Sequence, residues 1–137
     1  SKQGQYDLKR GQGGIMDIDF LTHYLQLLHG HEDSSLRTSS TRTALRKLSA
    51  AGKIDNEVSK FLLEAYDYLK TIESHIRVFD MKSISTFPKD MTKNVGLVRS
   101  MNYLDDNIED AAGQFMDDYR NMTQKTRNIF NEIFSPN

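Results

Sequence analysis

Between Asp7 and Phe20 the chain reads DLKRGQGGIMDIDF, and here residue types and spacing first propose chemistry. Lys9 and Arg10 supply two adjacent cations, Gly11, Gly13 and Gly14 strip side chains from the backbone, and Asp17 and Asp19 follow inside an apolar helical pattern. Three of the protein's 8 glycines fall in this one stretch. A glycine-rich approach to a helix N-terminus either makes a tight turn or lets backbone N–H groups come close to an anion such as a phosphate. Asp17 falls in the first helical turn, where a carboxylate gains about 0.3–1 kcal/mol from the helix dipole. Asp17 and Asp19, two apart, point to different sides of a helix, so they do not chelate one ion together.

Other groupings are weaker. His29-Gly30-His31-Glu32 offers imidazole and carboxylate ligands, but a helix-stopping Gly separates the two His and the sequence offers no further ligand. A polar helix end explains the group equally well. The segment Ser35 to Lys47 places hydroxyls and cations at a helix start, either to bind phosphate or to serve as redundant N-caps in a solvated turn. His23, four after Asp19, reads as a surface hydrogen-bonding partner, and His75 lies within a long helix. The chain has no Cys, no nucleophile-elbow serine and no Gly-x-x-x-x-Gly-Lys phosphate loop, so no catalytic residue and no metal site are assigned.

The elements that must position these residues are helical. Val58, Leu62, Ala65, Leu69, Ile72, Ile76 and Phe79 alternate four and three apart, as do Ile108, Ala112, Phe115, Tyr119, Met122, Thr126, Ile129 and Ile133. Each is a long apolar seam, with Thr126 the one polar member of the second. Shorter stripes are Ile18, Leu21, Leu25 and Leu28, broadened by Phe20 and Tyr24 and stopped at Gly30; Ser39 to Ala51, ended by Gly52; and Met91, Val95 and Val98 after the STFP turn. The Met and aromatic residues of these seams read as core filler. No alternating strand pattern stands out. The expected fold is all-α, an up-and-down bundle of four or five helices over residues 15–137, preceded by a glycine-rich lead-in at 1–14.

Composition narrows the class. With 137 residues and 37% hydrophobic content the chain suits one domain with its own core. A net charge of -1 argues against a nucleic-acid partner. Residues 1–53 carry 8 Lys+Arg against 5 Asp+Glu, leaving 10 against 14 of the totals of 18 and 19 for the remainder, so the positive field lies beside the glycines. No apolar run reaches the roughly 20 residues of a membrane span. Ser1 in place of an initiating Met suggests a piece of a longer protein.

Lys9-Arg10-Gly11-Gln12-Gly13-Gly14-Ile15-Met16-Asp17-Ile18-Asp19-Phe20, followed by Tyr24-Leu25-Gln26-Leu27-Leu28-His29-Gly30, resembles the Lys-x-Gly-x-Gly-Gly-Ile-x-Asp/Glu-Ile-Glu-Phe signature of bacterial glutamine synthetase adenylyltransferases. The likeness continues through Ser35-Leu36-Arg37, Thr43-Ala44-Leu45, Ala65-Tyr66-x-Tyr68-Leu69 and Thr86-Phe87-Pro88-x-Asp90, and closes on Arg127-x-Ile129-Phe130-Asn131-x-Ile133-Phe134. Asp19 departs from the family's usual Glu, and Met16 from its Arg or Thr. The Gly-Gly-Ile-x-Asp-Ile core is also similar to that of the uridylyltransferases that modify the PII signalling protein.

The resemblance implies a cytoplasmic two-part enzyme. A nucleotidyltransferase domain upstream holds Mg²⁺ and ATP, and the helical domain packs against it, inert alone and binding neither group itself. AMP passes to a tyrosine of glutamine synthetase or is removed by phosphorolysis, with PII a further partner and no membrane involved. On this reading Lys9, Arg10, Gly11, Gly13, Gly14 and Asp17 are nucleotide-proximal or line the domain interface, and Asp17 orients Lys9 or Arg10 toward the phosphates. The alternatives are the equivalent domain of a PII uridylyltransferase and a free-standing helical interaction module.

Overall fold

A computed structural model describes residues 4–79 and 85–135; Ser1 and Pro136 lie outside them. Along the chain run β1 (Gln5–Asp7), α1 (Ile15–His29), α2 (Thr41–Ala50), α3 (Asn56–Phe79), β2 (Thr86–Pro88), α4 (Val95–Ser100) and α5 (Ile108–Phe134), with single 3-10 turns at Ser34–Leu36 and Met91–Lys93. Over the described residues the fold is a mostly helical bundle of five α-helices.

The two long seams form over most of their length, with Val58, Met122, Ile129 and Ile133 partly buried, but Phe79 at the end of the first is 48% exposed because it lies past the last turn that the core covers. Leu62, Ala65, Leu69, Ile72 and Ile76 of α3 and Ala112, Phe115 and Tyr119 of α5 are buried together with Leu21 of α1 and Leu45 and Leu48 of α2. Side-chain caps set where helices begin. Ser40 accepts from the Thr43 N–H, Asn94 from Leu97, and Asn107 from both Glu109 and Asp110. Asp55 Oδ1 takes the Glu57 N–H at 2.8 Å, starting α3.

A strand pair is the element the apolar pattern does not announce. Gln5, Tyr6 and Asp7 pair antiparallel with Pro88, Phe87 and Thr86. Three residues are too few to show a period of two, and Pro88 tolerates only an edge position. The ribbon is held by packing. Phe87 is buried, stacks on Phe115 at 6.0 Å and meets Tyr119 edge-on at 4.9 Å, while Tyr6 lies 5.7 Å from Phe87 and 5.2 Å from Tyr119. Leu8, next along the chain, is fully buried and its N–H donates to Ser85 O at 2.9 Å. Residues 5–8 thus contribute to the core that α1 continues from Ile15.

Candidate functional site

The lead-in from Asp7 to Asp17 is built from its own backbone. Asp7 Oδ1 accepts from the N–H groups of Lys9 and Arg10, each at 3.0 Å, and Asp7 O accepts from Gly11 at 2.8 Å. The Gly14 N–H donates to Gly11 O at 3.0 Å. The first turn of α1 is closed from the same loop, with Ile15 donating to Leu8 O at 2.9 Å and Met16 to Lys9 O at 3.0 Å. Gly13 donates to Asp17 Oδ2 at 2.6 Å. The helix-start amides of Gly13, Gly14, Ile15 and Met16, which an anion could otherwise use, are therefore engaged inside the chain.

Gly13 and Gly14 allow close backbone packing. Gly13 has φ +75, and a Cβ built on it would stand 1.9 Å from Thr123 O of α5. At Gly14 a Cβ would come within 2.5 Å of Leu8 O. Backbone meets backbone here, and only glycine permits it.

Asp17 departs from the expected geometry. Its Oδ2 accepts from Arg127 Nη1 of α5 at 2.9 Å as well as from the Gly13 amide, so it does not orient Lys9 or Arg10. Arg127 has the reach from α5 because Gly13 brings the loop down onto that helix. Its guanidinium also lies 4.3 Å over the Phe130 ring. Lys9 turns instead to Glu73 of α3, with Nζ at 3.5 Å from Oε2, while Lys70 Nζ stands 3.1 Å from Oε1. Burial alone would raise the Glu73 carboxyl, but Lys70 and Lys9 outweigh it and hold the carboxyl below its ordinary range. Arg10 keeps a loose pair with Asp7 at 3.8 Å and is mostly exposed.

Asp19 does face elsewhere than Asp17, as the spacing requires. It accepts from Thr41 Oγ1 at 2.8 Å, joining α1 to the first residue of α2. The Ser35–Lys47 segment behaves as a capped helix start, with Arg42 paired to Asp67 and lying 5.1 Å over the Tyr66 ring. Gln26 Nε2 ties α1 to this segment through Leu36 O and Thr38 O, both at 2.8 Å. Glu32 pairs with Lys53 at 3.9 Å rather than with the nearby His residues. Among the described residues no group of three or more His, Asp or Glu side chains is arranged to hold a metal ion.

Two features were not assigned from sequence. Arg127 lies 110 positions from its partner Asp17, and no local pattern links them. Phe20 and Tyr24 do not fill the core. They face outward against Phe134, at 5.4 and 4.7 Å, and Phe20 also lies 6.2 Å from Phe130. A signal existed in α1, whose apolar residues outnumber those one buried face requires.

The described residues define a mostly helical domain packed around a glycine-rich loop. The chain belongs to the GlnD PII-uridylyltransferase family, whose sequence model matches residues 1–134. Among curated proteins it is similar to the bifunctional glutamine synthetase adenylyltransferase/adenylyl-removing enzymes. That of Streptomyces avermitilis is 36% identical over 76% of this chain and 10% of the relative. The Mycobacterium leprae protein is 30% identical over 93% of this chain and 13% of its own length, and the Neisseria meningitidis protein 29% over 98% and 14%. The chain thus spans only 10–14% of the length of these three relatives. No solved structure matches it.

Proposed function

We propose that this chain is the helical supporting domain of a nucleotidyltransferase that transfers AMP from ATP to a tyrosine of glutamine synthetase, or removes it by phosphorolysis. The observation that carries the reading is the similarity of up to 98% of the chain to a small share of such enzymes. The chain then stands where one module of a much longer protein stands.

The residues present do not suit ATP or Mg²⁺. The helix-start amides of Gly13, Gly14, Ile15 and Met16 all donate internally, Asp17 is held by Arg127, and Asp19 by Thr41. The reacting groups therefore belong to a nucleotidyltransferase domain elsewhere in the polypeptide, and no step is routed through this chain. Its contribution is rigidity at the junction: the loop of Lys9, Arg10, Gly11, Gly13 and Gly14 is clamped between α1, α3 and α5 and holds that edge of the bundle in one shape. Preorganisation of this kind matters in phosphoryl-group chemistry, which depends on positioning and charge neutralisation. Glutamine synthetase and PII are partners of the whole enzyme in a cytoplasmic setting.

The family description favours a second reading, the equivalent domain of a PII uridylyltransferase. One assay separates them. The intact polypeptide is incubated with labelled ATP and glutamine synthetase, and in parallel with labelled UTP and PII. AMP incorporation supports the first reading and UMP incorporation the second, while transfer by the 137-residue chain alone would overturn the division of labour.

A further inference from the structure

The outward face of α1 carries a second apolar stripe. Ile18, Leu21 and Leu25 make the buried face, whereas Met16, Phe20, Tyr24 and Leu27, spaced four, four and three, share the opposite arc and are 51, 59, 38 and 81% exposed. A helix that is apolar on both faces is normally buried on both. The stripe continues onto α5, where the Phe130 and Phe134 rings lie 4.7 Å apart, tilted at 49°, and close on Phe20 and Tyr24. At about 200 Å² for each large side chain, the exposed fractions amount to roughly 500 Å² of contiguous apolar surface, at the upper end of what a monomer presents without a partner.

We infer that this face is the seat of another domain of the same polypeptide. Covered from both sides, it buries about 1,000 Å², inside the roughly 600–1,500 Å² of interfaces between domains of one chain and below the 2,000 Å² or more of obligate homodimers. A tethered neighbour arrives at millimolar effective concentration, so a seat of this size holds it, whereas a second copy would have to associate through the same small patch from dilute solution. Sequence outside this segment is abundant in the relatives, which it spans only to 10–14%. The face is also mechanically suited to the task. Arg127, at its edge, is bonded to Asp17 and lies over Phe130, so the aromatic cluster is fastened to the signature loop.

The inference rests on the reading that the chain is one module of a larger enzyme, and its test is independent of activity. In the intact polypeptide a photo-crosslinking phenylalanine analogue replaces Phe20 in one variant and Leu27 in another, both outward-facing. After irradiation the products are sized and the joined peptides mapped by mass spectrometry. The expected result, from either position, is a crosslink within a single polypeptide to a peptide outside residues 1–137. Crosslinks at dimer mass, joining two copies through the same stripe, would overturn it, as would irradiation that yields no crosslink beyond residues 1–137. A polypeptide that crosslinks as expected yet transfers neither AMP nor UMP supports the seat while defeating the proposed activity.

Discussion

Asp17 and Arg127 are joined across 110 residues of sequence by a 2.9 Å hydrogen bond between Oδ2 and Nη1, and the same Oδ2 receives the Gly13 amide at 2.6 Å. One carboxylate oxygen therefore ties the signature loop, the first turn of α1 and the C-terminal part of α5 together. The side chains are 17 and 26% exposed, so the pair lies well inside the solvent boundary. Charge-assisted bonds in such places lose most when one partner is removed, because the other is left half-buried and unpaired.

Arg127→Ala is accordingly expected to destabilise the chain by about 1–3 kcal/mol, a fall of several degrees in Tm for a domain of this size. Asp17→Asn should lose a similar amount, and the double variant little more than either alone. Paired with Lys9→Ala, Asp17→Asn should instead be additive, since Lys9 forms an ion pair with Glu73. Thermal denaturation of the six proteins, wild type included, checks this. Additivity with Arg127 and coupling with Lys9 would reinstate the arrangement expected from sequence.

Gly13 and Gly52 have nearly the same left-handed backbone, φ +75 and +74, but only Gly13 is crowded. A Cβ at Gly52 meets nothing within 4 Å, whereas at Gly13 it would stand 1.9 Å from Thr123 O. Gly52→Ala should cost only the left-handed penalty of about 1–2 kcal/mol. Gly13→Ala should cost markedly more, because the loop must lift off α5 and strain the Asp17–Arg127 bond with it. Denaturant titration of both variants measures the difference, and equal losses would remove α5 from the explanation.

What the sequence made legible follows from how far each interaction reaches. Helices α3 and α5 were readable because their seams repeat every three or four residues over many turns, and Gly30 and Gly52 marked helix ends locally. The pairing of Tyr6 with Phe87 was not readable, because three-residue strands have no period and their partner is about eighty residues away. The glycines of the loop stood out in the sequence, but the backbone contact of Gly13 with Thr123 was not legible, because close approach to an anion and close approach to another backbone place the same demand on residue type. The outward turn of Phe20 was hidden because periodicity locates apolar residues without saying which of two apolar faces meets this chain's own core.

Thr126 is the polar member of the α5 seam and is fully buried, with no hydrogen-bond partner for its hydroxyl among the described residues. A buried hydroxyl without a partner carries a desolvation penalty of about 1–3 kcal/mol. Thr126→Val keeps the branched shape and removes that penalty, so it should raise stability by about 1 kcal/mol or more. Urea titration checks the sign. A loss would show that the hydroxyl has an acceptor in solution.

Glu73 provides the pH dependence. It is 4% exposed on α3, between Lys9 from the loop and Lys70 one turn earlier, and these ammoniums hold its carboxyl below the ordinary 4.5 despite burial. A folded-state value below the unfolded one means that the unfolded chain binds the proton more readily, so acid favours unfolding. The stabilisation is fully present above about pH 4.5 and is lost as pH falls through the depressed folded-state value. Glu73→Gln cannot titrate. Its Tm should lie below wild type at pH 7, because two half-buried ammoniums lose their shared carboxylate, and the gap should narrow as pH falls below about 4.5 and through the depressed folded-state value. Other carboxylates titrate in the same window, including Asp33 and Asp90, whose values are also lowered by bonds to Ser35 and Thr92, but they are common to both proteins and cancel in the difference. Scanning calorimetry of the pair across that range gives the difference directly. A gap that stays constant with pH would mean that Glu73 keeps the same proton affinity on unfolding, and that Lys9 is not anchored through it.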